Sequence, residues 1–462
     1  MPARLISTGL LSLIIILVPI LILGFLPAFP VFSSGPDSLP LLFTIAKRYE
    51  PLAWIHGADR FSPDATIFLQ NAAGRHPLMP AFAASADPTV SFDGKTVLFA
   101  GKQQTQDHWQ IWEVAWDGGV TGEAKRISSC ADDCVRPFYL PDDRAVYAKK
   151  IDGRFVIEAA DLEMGKLVQL TYGPGNSLPT DVLRDGRILF ETTFPIGSNG
   201  KPELYTVYSD GSGVESYRCD HGKARYSGKQ VAPGDIVFTS GSGLARFTSA
   251  RAQEILIPAP TGEYAGEAAE TSSGDWLLSW RPNAKSYYQV KRWKPGEASL
   301  ATIAEEQNAD VIQPTLILER IAPKRHPSGL HDWPNANLLC LNAYTSKYKF
   351  AARSIHAVRL YTQDRAGTAK LLGTAPVEPD GSFFVQIPTE RPLQIELLDG
   401  SGKTLKRQAG WFWMRRGEQR ACVGCHAGPE TAPENAVPMV LLKSTTPSDL
   451  TSPSAQASSG GH

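Results

Sequence analysis

The sequence predicts a mainly β protein: a β-propeller of about six blades, then a small β-sandwich and a C-terminal c-type haem segment, with one N-terminal transmembrane helix. Three observations carry this. A turn-and-strand phrase recurs through the middle of the chain, a pentapeptide Cys422-Val-Gly-Cys425-His426 stands near its end, and an uncharged apolar run opens it.

The apolar run comes first. No charged side chain lies between Leu5 and Phe32, and a spanning helix needs about 20 apolar residues. Pro19 is tolerable in a bilayer helix, where neighbouring groups can re-satisfy the backbone. Residues 1–34 therefore read as a transmembrane anchor. The competing reading is a cleaved signal peptide, with an apolar region of about 7–15 residues and a small-residue cleavage site. Both readings place the rest of the chain outside the cytoplasm, facing the periplasm or cell exterior. The close pair Cys130 and Cys134 suits an oxidising space as a loop disulfide, with a metal site as the alternative. Cys219 and Cys340 have no pairing that sequence decides.

Residues 40–320 read as the propeller. The phrase runs Ser91-Phe-Asp-Gly-Lys-Thr-Val-Leu-Phe-Ala100, Pro141-Asp-Asp-Arg-Ala-Val-Tyr-Ala148 and Arg184-Asp-Gly-Arg-Ile-Leu-Phe190, with fainter copies at 233–239 and 273–279. The spacing of about 40–50 residues is the period of four-stranded blades. Alternating apolar and polar residues bounded by Asp-Gly read as hairpins. Radial repetition covers the faces and edges that a lone sheet would leave wet. Five phrases are visible. Residues 65–70 or 312–318 would supply a sixth. Ser91 to Gly119 and its echoes resemble the blades of TolB-like propellers.

Residues 321–335, rich in turn formers, read as a linker. Strand-like segments from Asn337 to Leu398, with turns at Asp380-Gly381 and Asp399-Gly-Ser-Gly402, suggest a β-sandwich over 336–410. Residues 411–443 form the haem segment, and 444–462, poor in apolar residues, read as a disordered tail.

C-x-x-C-H is the spacing that attaches a haem covalently. Two thiols form thioethers to the porphyrin, and the adjacent imidazole ligates the iron. The expected cofactor is one covalent haem c on Cys422 and Cys425, with His426 as proximal ligand. A redox dithiol, half a zinc site and a disulfide are the alternatives. Pro429 and Pro433 argue against the helix that a thioredoxin-like motif requires.

For the distal position Met439 is a candidate, because a methionine opposite histidine suits electron-carrying haems. The competing role is an apolar anchor. His326 and His331 are further candidates if the linker folds back. Trp411 and Trp413 are expected to wall the haem or to fill the sandwich core, and Met414 to pack on the porphyrin. Arg415, Arg416 and Arg420 are expected to pair with propionates or to face solvent. His56, His76, His108, His221, His356 and His462 stand in no motif and read as surface or packing residues.

From Gly373-Thr-Ala-Pro-Val-Glu-Pro-Asp-Gly-Ser-Phe-Phe to Arg416-Gly-Glu-Gln-Arg-Ala-Cys-Val-Gly-Cys-His426 the chain resembles the middle domain of hydrazine synthase alpha-subunit-like proteins. The resemblance implies a propeller, then a β-rich domain ending in the haem motif. Members active in hydrazine chemistry carry further haems, act with other subunits and supply a tyrosine just past the motif. This chain has one C-x-x-C-H and no tyrosine from Ala427 to Ala436. The resemblance thus implies haem attachment at Cys422 and Cys425 without a catalytic assignment, since fold does not transfer chemistry.

With 462 residues, 42% hydrophobic and 20% charged, the chain can bury more than one core. A net charge of -1 argues against nucleic-acid binding, which leans on excess Lys and Arg. No Ser-His-Asp set, phosphate loop or H-E-x-x-H is present. The expected function is a membrane-anchored monohaem cytochrome in electron transfer, with the propeller as docking platform for a redox partner protein. The alternatives are a haem-dependent oxidoreductase acting on a small nitrogen compound or other small molecule, as part of an oxidoreductase complex, and a propeller binding protein with a secondary haem.

Overall fold

The computed structural model describes residues 40–163, 165–193, 200–218, 220–250, 252–364, 367–425 and 435–451. The expected anchor at 1–34, Cys219 and His426 lie outside the described residues. Among the described residues no helix is long and apolar enough to cross a membrane.

The recurring phrase is the turn between the first and second strands of a blade. In the first copy the Ser91 hydroxyl donates to Asp93 Oδ1 at 2.6 Å, and the amide of Thr96 donates back to Ser91 Oγ at 3.0 Å. Gly94 takes φ +73 and Gly186 φ +88, the left-handed backbone that such turns need. In the second copy Asp143 holds that conformation at φ 58, as short Asx side chains can.

Six four-stranded antiparallel sheets follow from this unit. Blades 1 to 5 begin with Ala84–Val90, Cys134–Leu140, Ser177–Val182, Tyr226–Gln230 and Glu263–Glu270. Blade 6 takes its first strand, Asp310–Leu316, from the end of the repeat region. Its other three, Leu41–Ala46, Thr66–Asn71 and Gly74–Pro77, come from the beginning. Both segments that the sequence offered for a sixth blade therefore share one sheet. The first strands touch in succession around the ring, blade 6 against blade 1 included.

Each first strand carries a bulge. The pairing slips between Ala86 and Thr89, Val135 and Phe138, Pro179 and Asp181, Tyr226 and Lys229, and Ala265 and Ala269. Bulges re-aim side chains, and here they face buried polar groups between blades. Arg136 Nη1 donates to Glu191 Oε1 at 3.0 Å, and the amide of Ser227 donates to Glu191 Oε2 at 2.9 Å.

The second domain has two sheets. One orders Gln419–Cys422, Ala336–Cys340, Phe383–Ile387 and Ser448–Asp449; the other orders Ala369–Pro376, Ala357–Gln363, Leu393–Leu398 and Thr404–Arg407. The strand that enters the haem motif is thus an edge strand of the sandwich, pairing in parallel with Ala336–Cys340. The expected sandwich limit at 410 falls short, because its polar strand reads as a loop in sequence. Ser448–Asp449 pairs with Phe383–Ile387, and Leu450 is buried. Residues 448–450 therefore pack on the sandwich, where low apolar content had suggested a disordered tail from 444; residues 452–462 of that expected tail lie outside the described residues.

Propeller and sandwich share one core. Phe190, Tyr205 and Val207 of blade 3 pack in the same cluster as Leu338, Phe383, Leu397, Trp411 and Trp413. The contact is therefore apolar and continuous.

Candidate functional site

The haem motif is seated before any haem is considered. A Cβ on Gly424 would meet the Thr345 carbonyl at 2.1 Å and that of Asn342 at 2.7 Å, so only glycine lets the Cys-Val-Gly-Cys loop press on the 341–345 turn. Gly417 has the same character: at φ +69, its Cβ would meet the His331 carbonyl at 1.8 Å. The linker runs along this surface, with the Lys324 amide donating to the Arg184 carbonyl at 2.9 Å.

Glu418 fixes the approach to the motif. It accepts from the Gly213 amide of blade 3 at 3.2 Å, from the Arg415 amide at 2.8 Å and from Arg420 Nη2 at 2.6 Å. A buried carboxylate persists when its oxygens are bonded and a cation neutralises it. Glu418 supplies that fixed point between the domains.

A pocket of about 510 Å³ opens between blade 3 and the sandwich, within the ~300–1,000 Å³ range of small-molecule and cofactor sites. One wall holds Cys422, Cys425 and Cys340; Phe383, Trp411 and Phe412 provide apolar surface. The facing wall comes from blade 3, with Tyr205, Tyr208, Tyr217 and His221. Arg187, Lys406 and Arg420 add cations. Two thiols, flat apolar walls and cations for carboxylates suit a covalent porphyrin, so the residues fit the group.

Cys340 is a third thiol that sequence did not connect with the motif. It pairs in register with Cys422 on the neighbouring strand. A hydrogen bond with Cys425 and burial push the Cys340 thiol well above its ordinary range, while the same bond draws Cys425 down. Burial pushes Cys422 up. Its strand partner lies about 80 residues away in sequence, and no local spacing announces it.

His221, read from sequence as a packing residue, lines the pocket. Its Nδ1 meets Glu203 Oε2 at 2.6 Å, and Glu203 Oε1 accepts the Gly222 amide at 2.6 Å. Burial pushes Tyr217 up to about 12, which keeps it a donor at neutral pH.

The remaining expected residues fall as follows. Trp411 lines the pocket, whereas Trp413 and Met414 are fully buried in the shared core, Trp413 beside Phe190. Arg415 reaches the Gln169 carbonyl and Tyr172 of blade 2 and is not among the described residues that line the pocket. Met439 opens a short helix, its amide donating to Asp380 Oδ2 at 2.7 Å; it is not among the described residues that line the pocket. His326 stacks on Tyr208 with ring centroids 3.7 Å apart, so the linker does fold back to the pocket rim. His331 stacks on Trp333. Cys130 and Cys134 are joined as a disulfide.

Fold and site define a six-bladed propeller fused to a β-sandwich whose edge strand delivers a C-x-x-C motif into an interdomain pocket. Residues 343–427 match the family model of the hydrazine synthase alpha subunit middle domain. The solved structure of Kuenenia stuttgartiensis hydrazine synthase matches with TM-score 0.76 and 15% identity, over 88% of this chain and 72% of that one. At that identity the likeness is one of fold. A nidogen/laminin complex structure (TM-score 0.45, 11% identity, 61% of this chain and 100% of that one) and the β-propeller domain of a Pyrococcus furiosus Trilobed protease (0.34, 14%, 52% and 87%) are more distant. No curated protein matches the chain.

Proposed function

We propose that the chain is a haem c oxidoreductase of the hydrazine-synthase-like kind, acting on a small molecule in the pocket between blade 3 and the sandwich. The observation that carries this is the placement of both motif thiols in one cavity with an aromatic and imidazole wall from another domain. Bound haem supplies a redox-active iron; the chain supplies its setting. Cys422 and Cys425 would hold the porphyrin by thioethers, and His426 would ligate the iron. Trp411, Phe412 and Phe383 would exclude water, and Lys406 would offer its charge to a propionate, while Arg187 and Arg420 are held by carboxylates of the pocket wall.

The chain works outside the cytoplasm, tethered by residues 1–34, and exchanges electrons with a redox partner protein. The Cys130–Cys134 disulfide supports an oxidising compartment. A pocket-facing haem suits chemistry at an open iron position better than an electron carrier with both axial positions filled. Reduced holoprotein, matured by a cytochrome c assembly system, should be five-coordinate and high-spin and should bind carbon monoxide. A six-coordinate, low-spin haem that ignores carbon monoxide contradicts the enzyme reading and returns the chain to electron transfer.

A further inference from the structure

We propose that His221, held by Glu203, is the proton-transfer residue for a small ligand with an ionisable proton bound in this pocket. The inference rests on the haem reading above and adds a residue and a chemistry to it. Glu203 is 1% exposed and begins the blade 3 strand Glu203–Val207. With one oxygen on the Gly222 amide and the other on His221 Nδ1, each at 2.6 Å, the carboxylate has little freedom. A carboxylate on Nδ1 fixes the ring and its tautomer. Nε2 is not part of that bond, and His221 lines the same cavity as Cys422 and Cys425.

Neighbouring titratable groups are committed elsewhere or hold their protons. Tyr217 holds its proton at neutral pH. Arg187 is occupied by Glu215 at 2.5 Å and by Asp185 at 2.8 Å. Asp220, beside His221 in sequence, is turned to Arg225 at 2.8 Å. His221 is the imidazole among the described lining residues, and imidazole is the side chain best suited to move protons near neutrality.

Hydrogen cyanide tests the step, because it enters neutral and binds ferric iron as the anion. The H–C bond breaks, its electron pair on carbon goes to iron, the proton goes to His221 Nε2, and no oxidation state changes. Carbon monoxide binds ferrous iron without proton transfer and serves as the control. In matured holoprotein, His221→Gln should slow cyanide association about 100-fold, the lower end for general acid–base catalysis, with carbon monoxide association unchanged. Glu203→Gln, which keeps a hydrogen bond but loses the charge, should slow cyanide by a smaller factor, again sparing carbon monoxide. Unchanged cyanide rates in both variants overturn the proposal, and so does an equal loss for both ligands, which marks His221 as a wall of the pocket. Wild-type holoprotein that takes neither ligand overturns the pocket reading itself, and this inference with it.

Discussion

Replacing Gly424 by alanine tests how the motif is held. The added Cβ would stand 2.1 Å from the Thr345 carbonyl oxygen, 2.7 Å from that of Asn342 and 2.8 Å from Thr345 Cβ, where ordinary contact begins at 3.4 Å. Two of these neighbours are backbone atoms in a turn closed by the Thr345 amide on the Asn342 carbonyl at 3.0 Å, so no side chain can swing aside. Gly424 has no left-handed φ, which leaves the cost purely steric. Overpacking of this kind costs typically 1–3 kcal/mol, and the rigid neighbours place Gly424→Ala near 3 kcal/mol. Chemical denaturation of the haem-free protein gives the loss directly, and the yield of covalent haem shows whether a displaced loop still presents both thiols. The expected result is a lower denaturation midpoint and a reduced haem yield. A variant as stable as the parent, with full haem attachment, refutes the argument that the loop is seated on the 341–345 turn.

Glu418→Ala leaves Arg420 and two amides without their acceptor, and removing one partner of a buried pair costs ~3–5 kcal/mol; denaturation should show the loss, with Glu418→Gln milder. Trp413→Ala empties the shared core and should cost ~3–5 kcal/mol, weakening the attachment of sandwich to propeller as measured by limited proteolysis. Glu396 is pushed up by burial, but hydrogen bonds from Thr404 and Tyr361 and the charges of Arg407 and Arg359 outweigh this and hold it below its ordinary range. Its contribution is present above the unfolded carboxylate range and is lost as pH falls through the lowered folded value. Stability should therefore drop in acid, and Glu396→Gln should flatten that part of the profile. Reducing the Cys130–Cys134 bridge, which closes a short loop, should cost ~2 kcal/mol on the chain-entropy model, read as a lower midpoint in dithiothreitol.

The blades were legible because their turns need Asp and Gly at fixed offsets, and those letters sit next to β-branched and aromatic runs. Blade 6 was only half legible: its strands come from opposite ends of the repeat region, and no local pattern joins Asp310–Leu316 to Leu41–Ala46. The motif cysteines were legible from spacing alone. Cys340 and His221 were not, since strand register and domain packing bring them to the pocket, and Glu203 is buried behind His221. Glu418 stood inside the quoted Arg-Gly-Glu phrase, yet its role depends on Gly213, which lies 205 positions earlier. Trp413 and Met414 went to the shared core because the sandwich packs on blade 3 through that run.

The most direct measurement is a crystal structure of the matured holoprotein. The porphyrin should lie between blade 3 and the sandwich, joined to Cys422 and Cys425, with Tyr217 and His221 on the far wall. A porphyrin attached to those sulfurs but turned out to solvent, with the blade 3 wall packed against protein, would contradict the account.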